Sequence, residues 1–311
     1  MNSTAHPSPS ATLEEEDGHH HGRLERAVEQ LREHMGLSAK PGGPPPNQQP
    51  RTRAVFFIER APNSMNRGAR CKLPTCDEGR IRPGHYRIAL VPSLDPGRGR
   101  GSADLYHISC FEEIADFSQL PFHQRVHPIT RSTFSARGVK VTSILDGNYL
   151  VDGGAERLIL QWIDERRQQI RERDGEVDNA RPMAQNLVDL FNMAGTPGFR
   201  GEKPVRMGEF EYQNLLGPLA PNECDGLEDL EVWNLFDEYL STRRPGSLEN
   251  RHDLSEMLQK WSKDTFLANK KEDNLNDEER QETAKLGPKA IRALRRLSAI
   301  PMPNMQPALL L

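Results

Sequence analysis

Three of the four cysteines in this 311-residue chain fall between residues 71 and 110, and the run ends in His-x-x-Cys. Cys71 and Cys76 bracket Lys-Leu-Pro-Thr, and Tyr-His-Ile-Ser-Cys later supplies His107 and Cys110. Three thiolates and an imidazole make a closed Cys₃His set, which is what tetrahedral structural zinc takes. The short first gap lets one turn aim both sulfurs at a single ion. The long middle gap leaves room for a strand, a loop and a second strand. Four protein ligands leave no open position for a substrate water, so the expectation is one structural Zn²⁺ that hydrolyses nothing. Structural zinc contributes roughly 10–16 kcal/mol of apparent binding energy to small domains. An ion with three thiolates is formally anionic, and Arg70 and Lys72 beside it would offset that charge.

The residues around this frame resemble the PARP-type zinc finger, the break-detecting module of poly(ADP-ribose) polymerase and of a eukaryotic DNA ligase. The resemblance runs from Ala54 to about Phe117. It takes in Ala-Val-Phe-Phe-Ile-Glu from Ala54 and the approach Asn66-Arg67-Gly68-Ala69-Arg70-Cys71. It continues through Ile81-Arg82-Pro83-Gly84-His85-Tyr86-Arg87-Ile88 and closes on Tyr106-His107-Ile108-Ser109-Cys110-Phe111. Two departures stand out. The first two cysteines are separated by four residues, where the family usually has two. The loop from Pro92 to Asp104 has no aromatic residue, and Leu94 is its only sizeable apolar one.

The resemblance implies a DNA-binding protein that recognises nicks, gaps or ends of a broken or distorted duplex, in the nucleus. Guanidinium groups grip phosphates and position a protein without reading sequence. The arginines that match the family's approach are Arg67 and Arg70, and Leu94 is the loop residue left to touch an exposed base. Arg98 and Arg100 sit in Gly-Arg-Gly-Arg-Gly, a stretch able to reach phosphates or stack on unpaired bases. Arg51, Arg53, Arg80 and Arg82 rank second. Solvated surface charge is the plain alternative for each arginine.

Charge supports this division. Residues 51–110 carry eleven Lys/Arg against five Asp/Glu, whereas residues 205–285 carry ten against nineteen. The basic stretch suits a phosphate surface. The acidic stretch suits a basic protein partner or a solvated helical surface. Only 35% of residues are hydrophobic, mean hydropathy is -0.72, and there are 24 Gly and 24 Pro. This balance predicts ordered modules joined by disordered segments. No apolar run reaches the roughly eighteen residues of a membrane span, and the N-terminus has no signal-peptide pattern.

The expected organisation has four parts. Residues 1–50 form a disordered tail with a short helix over 22–36, striped by Leu24, Val28, Leu31 and Met35, then a Pro/Gly linker. Residues 51–118 form the zinc finger, with a strand at Val55–Ile58, another at His85–Val91 and a short helix at Phe111–Phe117. Residues 119–175 form an α/β extension packed on the finger, with a hairpin turning on Asp146-Gly147 and a helix from Gly153 to about Arg173. Residues 176–311 form a helical, acidic region with helices at Met183–Ala194, Leu227–Leu240, His252–Ala268 and Pro288–Ile300. The class is α+β: a small zinc-stabilised finger of short antiparallel strands and helices, a mainly helical C-terminal region and a disordered N-terminus. No catalytic constellation is visible. The ligase Lys-x-Asp-Gly is absent, so the chain is expected not to be an enzyme. The competing reading is a protein–protein interaction module with a structural zinc and no DNA binding.

Overall fold

The computed structural model describes residues 10–37, 54–63, 67–92, 103–130, 133–175, 222–223, 233–240 and 246–298. Leu94, Arg98, Arg100, Arg51, Arg53 and the expected helix over 183–194 lie outside them. The described chain is mixed α+β.

Val55-Phe56-Phe57-Ile58 is an unbroken apolar run, and such a run suits a strand covered on both faces. It becomes β1 (Val55–Arg60). After it come β2 (Ala69–Arg70), β3 (Arg80–Ile81), β4 (Tyr86–Val91), β5 (Asp104–Tyr106) and β6 (Val126–Pro128). The main sheet runs β5-β4-β1-β6, while β2 and β3 pair as a separate ribbon. β4 lies antiparallel to β1, with Phe56 opposite Leu90 and Ile58 opposite Ile88. β6 joins the other edge of β1 in parallel, placing Val126 opposite Phe56. The sheet is therefore mixed, not purely antiparallel, because a strand from the expected extension completes it.

Alternation along the strands builds two cores. Phe56, Ile58, Ile88 and Leu90 face the larger one, with Cys71, Cys110, Phe111 and Trp162. Val55, Phe57, Ala89 and Val91 face a smaller one, with Ile129, Phe134, Ile144 and Leu150. A chain of rings crosses the larger core: Phe56 to Phe111 at 4.8 Å, Phe111 to Phe117 at 6.1 Å, and Phe117 to Trp162 at 6.0 Å between centroids.

The helices are α1 (Ser10–His34), α2 (Ile108–Glu112), α3 (Leu120–His123), α4 (Phe134–Arg137), α5 (Val141–Leu145), α6 (Gly153–Asp174), α7 (Asp253–Asn269) and α8 (Asp277–Ser298). Of the tail expected to be disordered over residues 1–20, residues 10–20 are helical as the start of α1, and residues 1–9 lie outside the described residues. The stripe of α1 faces inward, with Leu31 and Met35 buried in the larger core and Leu24 and Val28 packed against it. α6 matches its pattern: Asp152 caps it by accepting from Ala155 N at 2.9 Å, and Gly175 closes it at φ 70°.

Three further expectations are corrected. The hairpin over 139–151 is absent. Residues 141–145 are helical, and Gly147, at φ 74°, donates to Ile144 O at 2.9 Å, so Asp-Gly ends a helix. The chain then bridges from Tyr149 to Arg60 at the end of β1. The helix expected at Phe111–Phe117 instead starts at Ile108 and stops at Glu112, beyond which Asp116 accepts from Ser118 N and Oγ in a local turn. In the expected helix ending at Leu240, Trp233–Asn234 forms strand β8, pairing with β7 (Asn222–Glu223), and a 3₁₀ turn covers Leu235–Glu238. Asn234 Oδ1 accepts from Phe236 N at 2.9 Å and so starts the chain turning there.

α7 and α8 pack together. The latter is interrupted at Gly287, whose φ of 76° and ψ of 163° break the helical path just before Pro288. α7 also grips the rest of the fold. Gly154 of α6 lies so close to Trp261 that a Cβ would fall 2.6 Å from the indole. Trp162 Nε1 donates to Asp253 at 2.6 Å, and Arg166 pairs with the same carboxylate.

Candidate metal centre and basic ribbon

The four donors are brought together by three short elements. Gly68 turns the chain into β2 at φ 67°, and a Cβ there would meet Ile81 O at 2.3 Å, so only glycine fits this approach. Cys71 follows β2 directly, and Lys72 N donates to Leu105 O at 2.8 Å, holding this edge beside β5. Cys76 closes a turn by donating from its backbone N to Leu73 O at 3.2 Å. His107 is the N-cap of α2, and Cys110 lies in its single turn.

The sequence-derived ligand set is the one the fold assembles: one donor atom each from Cys71, Cys76, His107 and Cys110, all within 4.8 Å of one another. His107 Nδ1 lies 3.4 Å from Cys76 Sγ and 3.6 Å from Cys110 Sγ. The other ring nitrogen, Nε2, lies 4.0 Å from Glu78 Oε2. Glu78 is itself held by the Ser109 hydroxyl, which keeps a carboxylate near the imidazole. This arrangement can hold one metal ion.

The protonation pattern fits that reading. Cys71 is pulled down to about 4, first by a hydrogen bond from the Cys110 thiol. Cys110 is pushed up, first by sharing with Cys71 and then by burial. Burial also raises Cys76, and the hydrogen bond to Cys71 raises His107. A cation at the centre would let all three ionise.

The β2–β3 ribbon beside the donors has two chemically distinct faces. Ala69 sits opposite Ile81, and both are buried. Arg70 sits opposite Arg80, and both are exposed. Like charges directly across a strand pair repel, so the ribbon presents concentrated positive charge to solvent. Lys72 and Arg82 continue it on either strand, and Arg67 lies exposed at its start. Lys72 is tied to Asp104 at 3.4 Å. Arg67, Arg70 and Arg82 make no ion pair among the described residues. Arg67 and Arg70 were expected here; Arg80 and Arg82 earn equal rank from the structure. The alternation Ala-Arg-Cys-Lys and Arg-Ile-Arg was the signal for it.

Sequence reasoning missed Glu112, which makes a reciprocal cap between α2 and α7. Its carboxylate accepts from Leu254 N at 3.1 Å, Ser255 N at 3.2 Å and the Ser255 hydroxyl. Arg251 donates back to the carbonyls of Glu112 and Glu113 at 3.2 and 3.1 Å. The end of the helix that carries Cys110 and the start of α7 therefore satisfy each other's orphan groups. A lone glutamate two residues past a ligand gives no such hint in sequence. No helix among the described residues is long and apolar enough to cross a membrane. No family model matches this chain, and neither a curated protein nor a solved structure matches it.

Proposed function

We propose that the chain is a zinc-finger protein of PARP-type character that binds DNA at nicks, gaps or ends, by phosphate contacts from the β2–β3 ribbon. One observation carries this reading: a Cys₃His cluster sits against a ribbon whose exposed face is Arg70 and Arg80. Zinc is favoured by its ligands. Bonds of about 2.3 Å to sulfur and about 2.0 Å to nitrogen in a tetrahedron separate S from N by about 3.5 Å. The observed separations are 3.4 and 3.6 Å. Cys71, Cys76, His107 and Cys110 would hold the ion, and it would neutralise their charge and fix the ribbon without taking part in a reaction.

The ribbon arginines act as fixed cations. Arg67, Arg70, Arg80 and Arg82 stand in solvent, ready to replace phosphate counterions. Arg98, Arg100 and Leu94 remain proposed contacts from the neighbouring loop. The acidic C-terminal region would face a basic protein partner, and the nucleus is the compartment in which this activity would be used.

The test is fluorescence anisotropy of zinc-loaded protein against nicked, gapped, blunt and intact duplexes at two salt concentrations. The reading expects preference for nicked or gapped DNA and affinity that falls with salt. Arg70→Ala with Arg80→Ala should weaken binding to every duplex. A folded, zinc-loaded protein that binds no DNA would leave the protein-interaction module as the function.

A further inference from the structure

The three cysteines of the centre are not equally sheltered. Cys71 and Cys110 are each 6% exposed, and both belong to the larger core. Cys71 is covered where Lys72 N donates to Leu105 O and closes the chain onto β5. Cys110 lies in α2, whose Ile108 and Phe111 are buried with it. Cys76 is only half-buried and packs against that core from outside. Pro74, Asp77 and Glu78 around it are exposed, and Thr75 is half-buried. The turn that Cys76 N closes on Leu73 O thus leaves this one donor residue open to solvent.

Oxidation of a cysteine follows thiolate character and access. With a cation at the centre all three sulfurs are thiolates, so access is what remains to rank them. A partner for an oxidised Cys76 is already in place, because its sulfur and those of Cys71 and Cys110 lie within 4.8 Å of one another. An accessible thiolate beside a second thiol that can resolve it is the arrangement of a redox-sensing cysteine.

The surroundings would turn oxidation into a structural change. The β2–β3 ribbon has two residue pairs, Ala69 with Ile81 and Arg70 with Arg80. Its one further cross-link is a bond from Arg80 Nη1 to Gly68 O at 3.4 Å. Cys71 and Cys76 lie in the segment that joins these two strands, so the ion is the main anchor of the ribbon.

We propose that Cys76 is the peroxide-sensitive cysteine of this centre, and that its oxidation to a disulfide with Cys71 or Cys110 releases the ion and loosens the β2–β3 ribbon. The inference rests on the zinc-finger reading above and adds a means of switching the ribbon off. The Cys76 thiolate attacks one oxygen of hydrogen peroxide. An S–O bond forms, the O–O bond breaks, the sulfur loses two electrons and hydroxide leaves. A buried thiolate, Cys71 or Cys110, then attacks the sulfenic sulfur. An S–S bond forms, the S–O bond breaks and a second hydroxide leaves. One thiolate and one imidazole remain, too few for a closed structural site. A thiol reductant reverses the disulfide by exchange.

The test exposes the zinc-loaded 311-residue chain to hydrogen peroxide. Zinc release is followed with a chromogenic chelator, sulfenic acid is trapped with dimedone, and disulfides are mapped by mass spectrometry. Dimedone should label Cys76 first, every disulfide should contain Cys76, and one ion should leave per disulfide. Dithiothreitol with added zinc should restore the loaded protein. Cys76→His, which keeps a nitrogen donor, should hold its ion through the exposure that empties the wild type. The trapping reads the wild type, so it decides the assignment even where the variant fails to fold. Labelling of Cys71 or Cys110 ahead of Cys76, a Cys71–Cys110 disulfide with Cys76 reduced, or a wild type that keeps its zinc would overturn the proposal while the zinc-finger reading stands. A purified chain that takes up no zinc would remove both.

Discussion

The corner that carries the four donors and the helical half built from α6, α7 and α8 are stable for different reasons. The corner is made of two-residue strands and a five-residue helix, and its β2–β3 ribbon buries little beyond Ala69, Cys71, Leu73 and Ile81. The helical half buries Trp162, Leu254, Leu258, Trp261, Leu294 and Leu297 in one continuous core. Elements as short as those of the corner cannot bury enough surface to offset the entropy of ordering them. The comparison teaches that one half rests on apolar burial, that the other adds to its share of that core a four-donor cluster able to hold one metal ion, and that Glu112 and Arg251 join them.

The sharpest break between the halves is Cys110→Ala. Losing a structural metal of this type removes apparent stabilisation on the order of 10 kcal/mol from the piece it folds. Hydrogen exchange should lose protection over residues 67–81 while α7 and α8 stay protected. Equal loss in both halves would erase the distinction. Trp261→Ala is the converse. It should cost about 3–5 kcal/mol by chemical denaturation, because a fully buried indole against Gly154 leaves a cavity. One metal equivalent should still be retained below the unfolding transition.

Glu112→Ala probes the join. It strands the N–H groups of Leu254 and Ser255 and should cost about 1–3 kcal/mol. The loss should fall in both halves at once by hydrogen exchange, and loss in one alone would show that the cap does not couple them. Acid gives a graded loss rather than a single step. His123 is fully buried, both ring nitrogens lack partners, and burial lowers its pKa from 6.5 to about 3. The folded state excludes a proton that the unfolded chain accepts. Its contribution is therefore complete above about pH 6.5 and falls by about 1.4 kcal/mol per pH unit toward pH 3. His123→Phe should flatten that part of the stability profile, and an unchanged slope would contradict the assignment.

Legibility differed between these halves as well. The donor set was readable because a ligand's identity and spacing survive without knowing the fold, and α6 and α7 were readable from their apolar period. The Val55–Ile58 run declared a strand, and its burial on both faces is what the structure adds. Partnership was not readable. Nothing local marks Val126–Pro128 as the parallel neighbour of β1, or Glu112 as the cap of α7. Asp146-Gly147 suits a hairpin and a helix end equally in local chemistry, and the bridge from Tyr149 to Arg60 decides between them. Phe266 lies within the expected His252–Ala268 helix, and nothing local marks it as standing outside the buried face.

The account rests first on one tetrahedral ion held by four named donors. The direct measurement is cobalt substitution of the purified 311-residue chain, read by visible absorption and by metal content per chain. One equivalent with intense tetrahedral d–d bands and sulfur-to-cobalt charge transfer, both lost in Cys110→Ala, is the predicted result. Weak octahedral bands, or uptake that Cys110→Ala leaves unchanged, would contradict it.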